Sequence, residues 1–219
     1  MGEDVVVPTA SSPLDWVVIA PVKRLDRAKT RLSARPALER RSLALAFAVD
    51  TVRAALACER VGTVVVASDD AEVRSAVSAL GARWVPDVEG AGLNDLIDTV
   101  AAGLRLEEPD AALAALVADL PALRTDELRR ALVAAGEVPR GFAADAAGTG
   151  TTLLTARPGS LLDPRFGPRS RAAHAASGAV ALEPGPIPGL RRDVDTEVDL
   201  WDAGRLGLGP ATAALVHGD

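Results

Sequence analysis

The sequence predicts an α/β protein, a single domain with a mostly parallel mixed sheet flanked by helices. Three observations predict it. Short apolar runs alternate with longer amphipathic stretches from Trp16 to about Ala135, the pattern of strands joined by helical crossovers. One run, Ala112 to Ala118, is almost wholly apolar, as a central strand covered on both faces requires. Aromatic residues are only 3% of the 219 and Tyr is absent, so Ala, Val and Leu must fill the core, which suits helices packed on a parallel sheet.

Each element has a local reason. Residues 1–13 are acidic and polar, lack a signal-peptide pattern and read as a disordered leader, with the domain spanning 14–217. Trp16-Val17-Val18-Ile19 reads as the first strand and runs into a cationic loop, Ala20 to Leu32. Pro36 suits a first helical turn, and a helix is expected to Cys58 with Leu38, Leu43, Phe47, Val49 and Val52 on its apolar side. Thr63 to Ala67 is a buried strand, and Ser68-Asp69-Asp70 caps a helix to Leu80. Arg83 to Pro86 is a third strand, Asp87 to Gly92 a loop and Leu93 to Leu106 a helix. The central strand Ala112–Ala118 ends at Asp119-Leu120-Pro121, and Thr125 is placed to cap a helix to Ala135. Gly141–Ala144 and Thr152–Thr155 read as short strands around the turn Gly148-Thr149-Gly150-Thr151. After an irregular stretch at 157–169, Ser170–Ser177 is a helix, Ala179–Leu182 and Leu190–Val194 are strands, and a helix follows from Thr196 to about Leu206.

Composition excludes several functions. The net charge of −6 argues against a nucleic-acid binder but leaves room for a local cationic pocket. A lone cysteine, Cys58, excludes an internal disulfide framework and a Cys-based zinc site, and is expected inside a helix. The two histidines are His174 and His217, so metal chemistry falls to carboxylates and favours Mg²⁺ over Zn²⁺. No apolar run reaches the ~18–20 residues of a membrane span, and the expected location is the cytoplasm.

The residues with chemistry cluster in a few segments. Lys23 and Lys29 are the two lysines among 24 cations, the rest being Arg, so they stand where a compact ammonium is wanted against a phosphate. Asp119 follows an apolar strand, at the end of the sheet where open α/β folds bind ligands. Asp193 and Asp195, on a strand, would share one face and repel unless a cation lies between them, although Asp195 also suits a helix cap. Gly148-Thr149-Gly150-Thr151 and Phe166-Gly167-Pro168-Arg169-Ser170 offer backbone N–H groups to an anion. Asn94 suits either a helix cap or a contact to a base or ribose. His174 has no visible Asp partner, which argues against a catalytic triad, and no P-loop is present.

Pro21-Val22-Lys23, Ala28-Lys29-Thr30-Arg31-Leu32, Gly92-Leu93-Asn94, Asp119-Leu120-Pro121, Gly148-Thr149-Gly150-Thr151, Phe166-Gly167-Pro168 with Ser170, and Asp193-Val194-Asp195-Thr196 occur in that order. The ordered set, from about Trp16 to Ala214, resembles the 2-phospho-L-lactate or phosphoenolpyruvate guanylyltransferases of coenzyme F420 biosynthesis. The Ala- and Arg-rich, Lys-poor composition suits a high-GC actinobacterium, whose family members use phosphoenolpyruvate. Ala118 stands where relatives often have Gly, and Glu197 where Pro is frequent.

The resemblance implies a GT-A-like nucleotidyltransferase fold. It also implies the reaction of phosphoenolpyruvate with GTP to enolpyruvyl-diphospho-5′-guanosine and pyrophosphate. Asp119, Asp193 and Asp195 would bind Mg²⁺, with Lys23, Lys29 and Asp119 catalytic. Pro21, Lys23, Lys29 and Asn94 would bind the nucleotide, and Thr151, Gly167 and Ser170 the phosphoenolpyruvate. The partners would be these small molecules, without nucleic acid or membrane. The resemblance leaves open a hand-over of product to the next pathway transferase and a homo-oligomer. It also leaves open 2-phospho-L-lactate or 3-phosphoglycerate as acceptor. The alternatives are another nucleotidyltransferase, such as one acting on molybdenum cofactor, and a non-catalytic anion-binding module.

Overall fold

The computed structural model describes residues 15–27, 29, 31–32, 35–87 and 91–218. The expected leader, Ala28 and Thr30 of the cationic segment, and residues 88–90 of the expected loop lie outside them. The elements are β1 (Trp16–Pro21), α1 (Ala37–Leu56), β2 (Val61–Ala67), α2 (Ala71–Ala79), β3 (Arg83–Val85), α3 (Leu93–Glu107), β4 (Ala112–Leu116) and α4 (Thr125–Ala135). They continue with β5 (Arg140–Ala144), β6 (Thr151–Ala156), α5 (Ser170–Ala176), β7 (Val180–Ala181), α6 (Pro188–Arg191), α7 (Glu197–Leu206) and α8 (Pro210–His217).

The sheet order is β3-β2-β1-β4-β6-β5-β7. β1 pairs in parallel with β2 and β4, and β5 with β7, while β6 runs antiparallel to both β4 and β5. One strand of the seven therefore runs against the others. Side chains alternate between two cores, as the period of two requires. Val18, Val64 and Ala114 join Val52, Val73 and Leu128 beneath α1, α2 and α4. Val17, Ile19, Val65 and Leu113 join Ile97, Ala101 and Leu104 beneath α3. Truncating a fully buried side chain such as Leu113 or Ile97 to Ala would cost about 2–5 kcal/mol. A third cluster, with Leu43, Phe47, Val194, Leu200 and Ala203, packs α7 against α1.

Several expectations are corrected. Leu190–Val194 is not a strand: Pro188 opens the short helix α6, and 192–195 is irregular. The buried Glu127 carboxylate accepts the Leu190 N–H at 2.8 Å, which favours the turn over a ladder. Thr125 is the first residue of α4 rather than its cap; the cap position is Arg124, without a side-chain bond. Pro36 is likewise at the cap position of α1. Cys58 is buried in the turn after α1, not within it. The sequence reading missed α8. Its signal was Pro210 in a first turn, and its cap is remote: the Asp50 carboxylate on α1 accepts the Ala211 and Thr212 N–H groups at 3.0 and 2.8 Å.

Candidate active site

From β1 the chain first adds β2 and β3 on one side, then β4 on the other. Where the order reverses, the carboxyl ends of β1 and β4 leave a crevice, the place where open α/β sheets receive ligands. A cavity of about 380 Å³ opens there, with Pro21, Lys23, Lys29, Arg31, Asp119 and Asp195 in its wall.

The cationic loop is held from β2. Val22 N–H donates to the Ala67 carbonyl at 2.9 Å, and Leu25 N–H to the Asp70 carboxylate at 3.2 Å. Asp70 also accepts Glu72 N–H at 3.0 Å, so the expected cap of α2 anchors the loop as well. Lys23 is exposed. Lys29 has a φ of 54°, a left-handed backbone that a non-glycine residue rarely adopts, and its side chain is only 9% exposed. Its ammonium donates to Asp119 Oδ2 at 2.5 Å and to Asp195 Oδ1 at 3.2 Å. Burial alone would lower the Lys29 pKa, but Asp119 and then Asp195 outweigh it, so the group stands above its ordinary value.

Asp119 lies three residues beyond β4 and is fixed through its backbone. Leu120 N–H donates to Thr51 Oγ1 on α1 at 3.0 Å, and Val194 N–H donates to the Asp119 carbonyl at 3.1 Å. Val194 is buried, so Asp193 and Asp195 flank Asp119 without the strand that was expected to align them. Asp195 does not cap α7; Thr196 does, in a reciprocal pair with Asp199. The Asp195 oxygens instead meet Lys29 and Arg31.

Two features suit a cation at this point. Asp119 Oδ1 is buried without a hydrogen-bond partner among the described residues. Burial, then the neighbouring Asp119, Asp145 and Asp195, push Asp193 up to about 7. A cation would reverse both effects. The donors are hard oxygens, which suit Mg²⁺. Among the described residues no three of His, Cys, Asp and Glu are close enough to hold an ion by themselves. Asp119, Asp193 and Asp195 would therefore need ligand oxygens to complete the shell of an ion.

The second group of expected residues lies beside this cavity and not in its wall. Because β6 is antiparallel, its first residue, Thr151, is at the same sheet end as Asp119, and Val117 N–H donates to the Thr152 carbonyl at 3.0 Å. The turn before Thr151 is not an open nest. Asp145 accepts the Thr149 and Gly150 N–H groups, each at 2.8 Å, and fills it from within. Asp145, three residues before the turn's first glycine, was the legible signal. At the start of α5, Ser170 N–H donates to the Gly167 carbonyl at 3.1 Å and Arg171 N–H to the Thr149 carbonyl at 3.2 Å. Ser170 is buried, while Gly167 has a φ of 135° and open space where a Cβ would stand.

The cap position of α3 is Gly92, whose N–H donates to Asp95 Oδ2 at 3.3 Å, and Asn94 does not cap the helix. Its amide donates to the Phe166 carbonyl at 3.0 Å and accepts Phe166 N–H at 2.8 Å, strapping the Gly167 loop to the helix beside the cavity. His174, set aside in the sequence as lacking an Asp partner, is fully buried among these residues. Its Nδ1 is 2.9 Å from Thr151 Oγ1, and its Nε2 accepts Arg165 N–H at 2.9 Å. Burial first, then Arg140 and Arg165, lower its pKa to about 4, with Asp163 opposing them.

A mostly parallel sheet that brings a lysine after its first strand onto an aspartate after its fourth at the switch point is a ligand-binding arrangement of open α/β folds. The fold agrees. It matches a nucleotidyl transferase from Methanothermobacter thermautotroptrophicus with a TM-score of 0.61 at 18% identity, covering 89% of this chain and 98% of that one. It also matches 4-diphosphocytidyl-2C-methyl-D-erythritol synthase with a TM-score of 0.57 at 11% identity, covering 88% and 99%. The chain belongs to the guanylyl transferase CofC-like family, whose model matches residues 16–177. It is 53% identical over 204 residues to the phosphoenolpyruvate guanylyltransferase of Streptomyces coelicolor, covering 92% of this chain and 96% of that one. To the phosphoenolpyruvate guanylyltransferase of Thermomonospora curvata it is 52% identical over 202 residues, covering 92% and 89%. Among the described residues no helix is long and apolar enough to cross a membrane.

Proposed function

We propose that this chain transfers the guanylyl group of GTP to phosphoenolpyruvate, forming enolpyruvyl-diphospho-5′-guanosine and pyrophosphate in coenzyme F420 biosynthesis. The observation that carries the reading is the Lys29–Asp119 pair at the switch point, in a chain more than half identical to relatives named for that reaction. Both substrates are cytoplasmic metabolites, so the reading assigns the enzyme to the cytoplasm.

The reaction forms a bond from a phosphate oxygen of the acid to the α-phosphorus of GTP and breaks the bond from that phosphorus to the leaving pyrophosphate. The attacking oxygen is already anionic, so no general base is needed. This agrees with a site whose buried imidazole is neutral. The obstacle is repulsion between two polyanions. Lys23 and Lys29 hold the triphosphate and the departing pyrophosphate as point charges. Pro21 shapes the nucleotide subsite as part of its wall, and Asn94 does so through the loop it straps. Asp119 and Asp193 would hold Mg²⁺, which would supply positive charge to the reacting phosphates. Thr151, Gly167 and Ser170 receive the acid. The N–H groups of Thr149, Gly150, Ser170 and Arg171 are already engaged, so the hydroxyls of Thr151 and Ser170 carry the recognition.

The test is pyrophosphate release by the purified protein with Mg²⁺, over four nucleoside triphosphates and three acids: phosphoenolpyruvate, 2-phospho-L-lactate and 3-phosphoglycerate. Release is expected with GTP and phosphoenolpyruvate. Faster turnover with another acid would move the acceptor assignment, and no release with any pair would remove the enzyme.

A further inference from the structure

We propose that His174 is a positioning residue for the acid substrate: by donating its Nδ1 proton to Thr151 Oγ1, it turns the Thr151 hydroxyl into a committed donor towards the bound anion. The inference rests on the reading of Thr151 as an acceptor-site residue.

The argument starts from a group that can only donate. Arg165 N–H points at His174 Nε2 at 2.9 Å, so that nitrogen must present its lone pair. A neutral imidazole has one N–H and one bare nitrogen, so the proton is on Nδ1. The surroundings agree. The ring is fully buried, with the Phe166 ring centroid 5.2 Å from its own, and the cations of Arg140 and Arg165 together outweigh the single anion Asp163. Nδ1–H then donates to Thr151 Oγ1 across 2.9 Å. A hydroxyl has one proton and two lone pairs. With one lone pair occupied by the imidazole, the proton of Thr151 is turned away from His174 and is held for an incoming oxygen. A free hydroxyl would rotate between donating and accepting, and an anion could use only the first state.

The same ring ties the acid-binding segments together. His174 is one helical turn beyond Ser170 on the same face of α5, and both are buried. Its Nε2 holds the backbone of Arg165, two residues before Gly167. Thr151, Gly167 and Ser170 are therefore linked through one neutral imidazole, with no charge introduced next to the substrate.

Two measurements decide the proposal. The first is the ¹⁵N spectrum of the imidazoles in the intact protein. The chain has two histidines, and His217→Gln removes the exposed one, so His174 is assigned without ambiguity. A protonated Nδ1 and bare Nε2 are expected at neutral pH. A proton on Nε2 overturns the proposal, whether or not any His174 variant folds. The second is steady-state kinetics. His174→Asn places an amide N–H near Nδ1 and keeps the donor to Thr151, whereas His174→Gln places an acceptor near Nε2 and keeps only the Arg165 bond. His174→Gln should raise the KM for phosphoenolpyruvate about tenfold with the KM for GTP unchanged, the loss of one hydrogen bond to a charged group. His174→Asn should recover most of it. In a Thr151→Val background, His174→Gln should add nothing. Equal rises for both substrates, or additive effects in the double variant, would make His174 merely structural. If Thr151→Val itself leaves the phosphoenolpyruvate KM unchanged, the acceptor-site reading falls, and that result is distinct from a failure of the imidazole alone.

Discussion

The two halves of the site follow opposite electrostatic plans. Around β1 and β4 the charges are incomplete: Asp119 Oδ1 has no partner among the described residues, Asp193 is pushed up to about 7, and Lys23 is exposed. Around β6 and α5 most polar groups answer one another, Thr152 Oγ1 being the buried exception among the described residues. Asp145 fills the Thr149–Gly150 turn, Asn94 binds Phe166 with both ends of its amide, and His174 uses both ring nitrogens. An unanswered charge marks where a ligand or ion brings its own. A completed network marks where shape and donor direction select the ligand, because its parts cannot move to accommodate another.

The largest effect should come from breaking the incomplete half. Asp119→Asn and Asp193→Asn each keep shape and remove a charge, so turnover should fall on the order of a thousandfold. Asp193→Asn should hold its stability, because it removes a buried carboxylate crowded by like charges, whereas Asp119→Asn also weakens the buried Lys29 pair and should melt lower while staying folded. Turnover and circular-dichroism melting check this, and near-normal turnover in either variant would take that residue out of the mechanism. Next comes the lysine pair. Lys29→Arg must fit a planar fork into a side-chain site 9% exposed and ion-paired on two sides. Its kcat/KM for GTP should fall about a hundredfold, the more severe of two Lys→Arg changes. Lys23→Arg has space around it and should cost about tenfold. The reverse order would make the Lys29 pair a structural clasp.

The contrast also governs what could be read before the fold was known. Local signals carried the first half. An apolar run needs a sheet, Asp119 follows one, and the scarcity of lysine singled out Lys23 and Lys29. The pairing of Lys29 with Asp119 spans 90 positions, yet each partner was visible alone because it breaks a local pattern. The second half depends on what residues do to each other. Asp145 cancels the nest, Glu127 turns 188–191 into a helix and Asp50 caps a helix 161 positions away. None of these acceptors stands out by composition. His174 was legible only as a histidine without a carboxylate, since its partners are a hydroxyl and a backbone N–H.

A smaller effect should separate the substrates. A Cβ at Gly167 meets no atom within 4 Å, so the cost of Gly167→Val starts with the φ of 135°, which side-chain-bearing residues rarely adopt, together with a branched group beside the acid site. The KM for phosphoenolpyruvate should rise about tenfold and that for GTP stay near normal. Equal changes would show that the two halves are not separable.

The smallest expected change is in stability rather than turnover, and it tests whether the completed network depends on a neutral ring. The His174 pKa falls from 6.5 to about 4 on folding. The unfolded chain therefore takes up a proton below 6.5 that the folded one refuses until about 4. Its stabilising contribution is full above 6.5 and is lost as pH falls towards 4, amounting to about 2 kcal/mol by pH 5. Asp193, raised from 3.8 to about 7 mainly by burial, acts with the opposite sign over the same range. Wild-type stability against pH thus mixes the two. The difference between wild type and His174→Gln removes Asp193 and leaves the imidazole. Urea unfolding at pH 7, 6 and 5 should show a gap between the two proteins that closes by about 2 kcal/mol over that range. His217→Gln, on an exposed residue of α8, should track wild type throughout. A gap that stays constant with pH would mean that His174 accepts its proton in the folded state as readily as in the unfolded one. The second half of the site would then hold a charge, and the opposition between the halves would not stand.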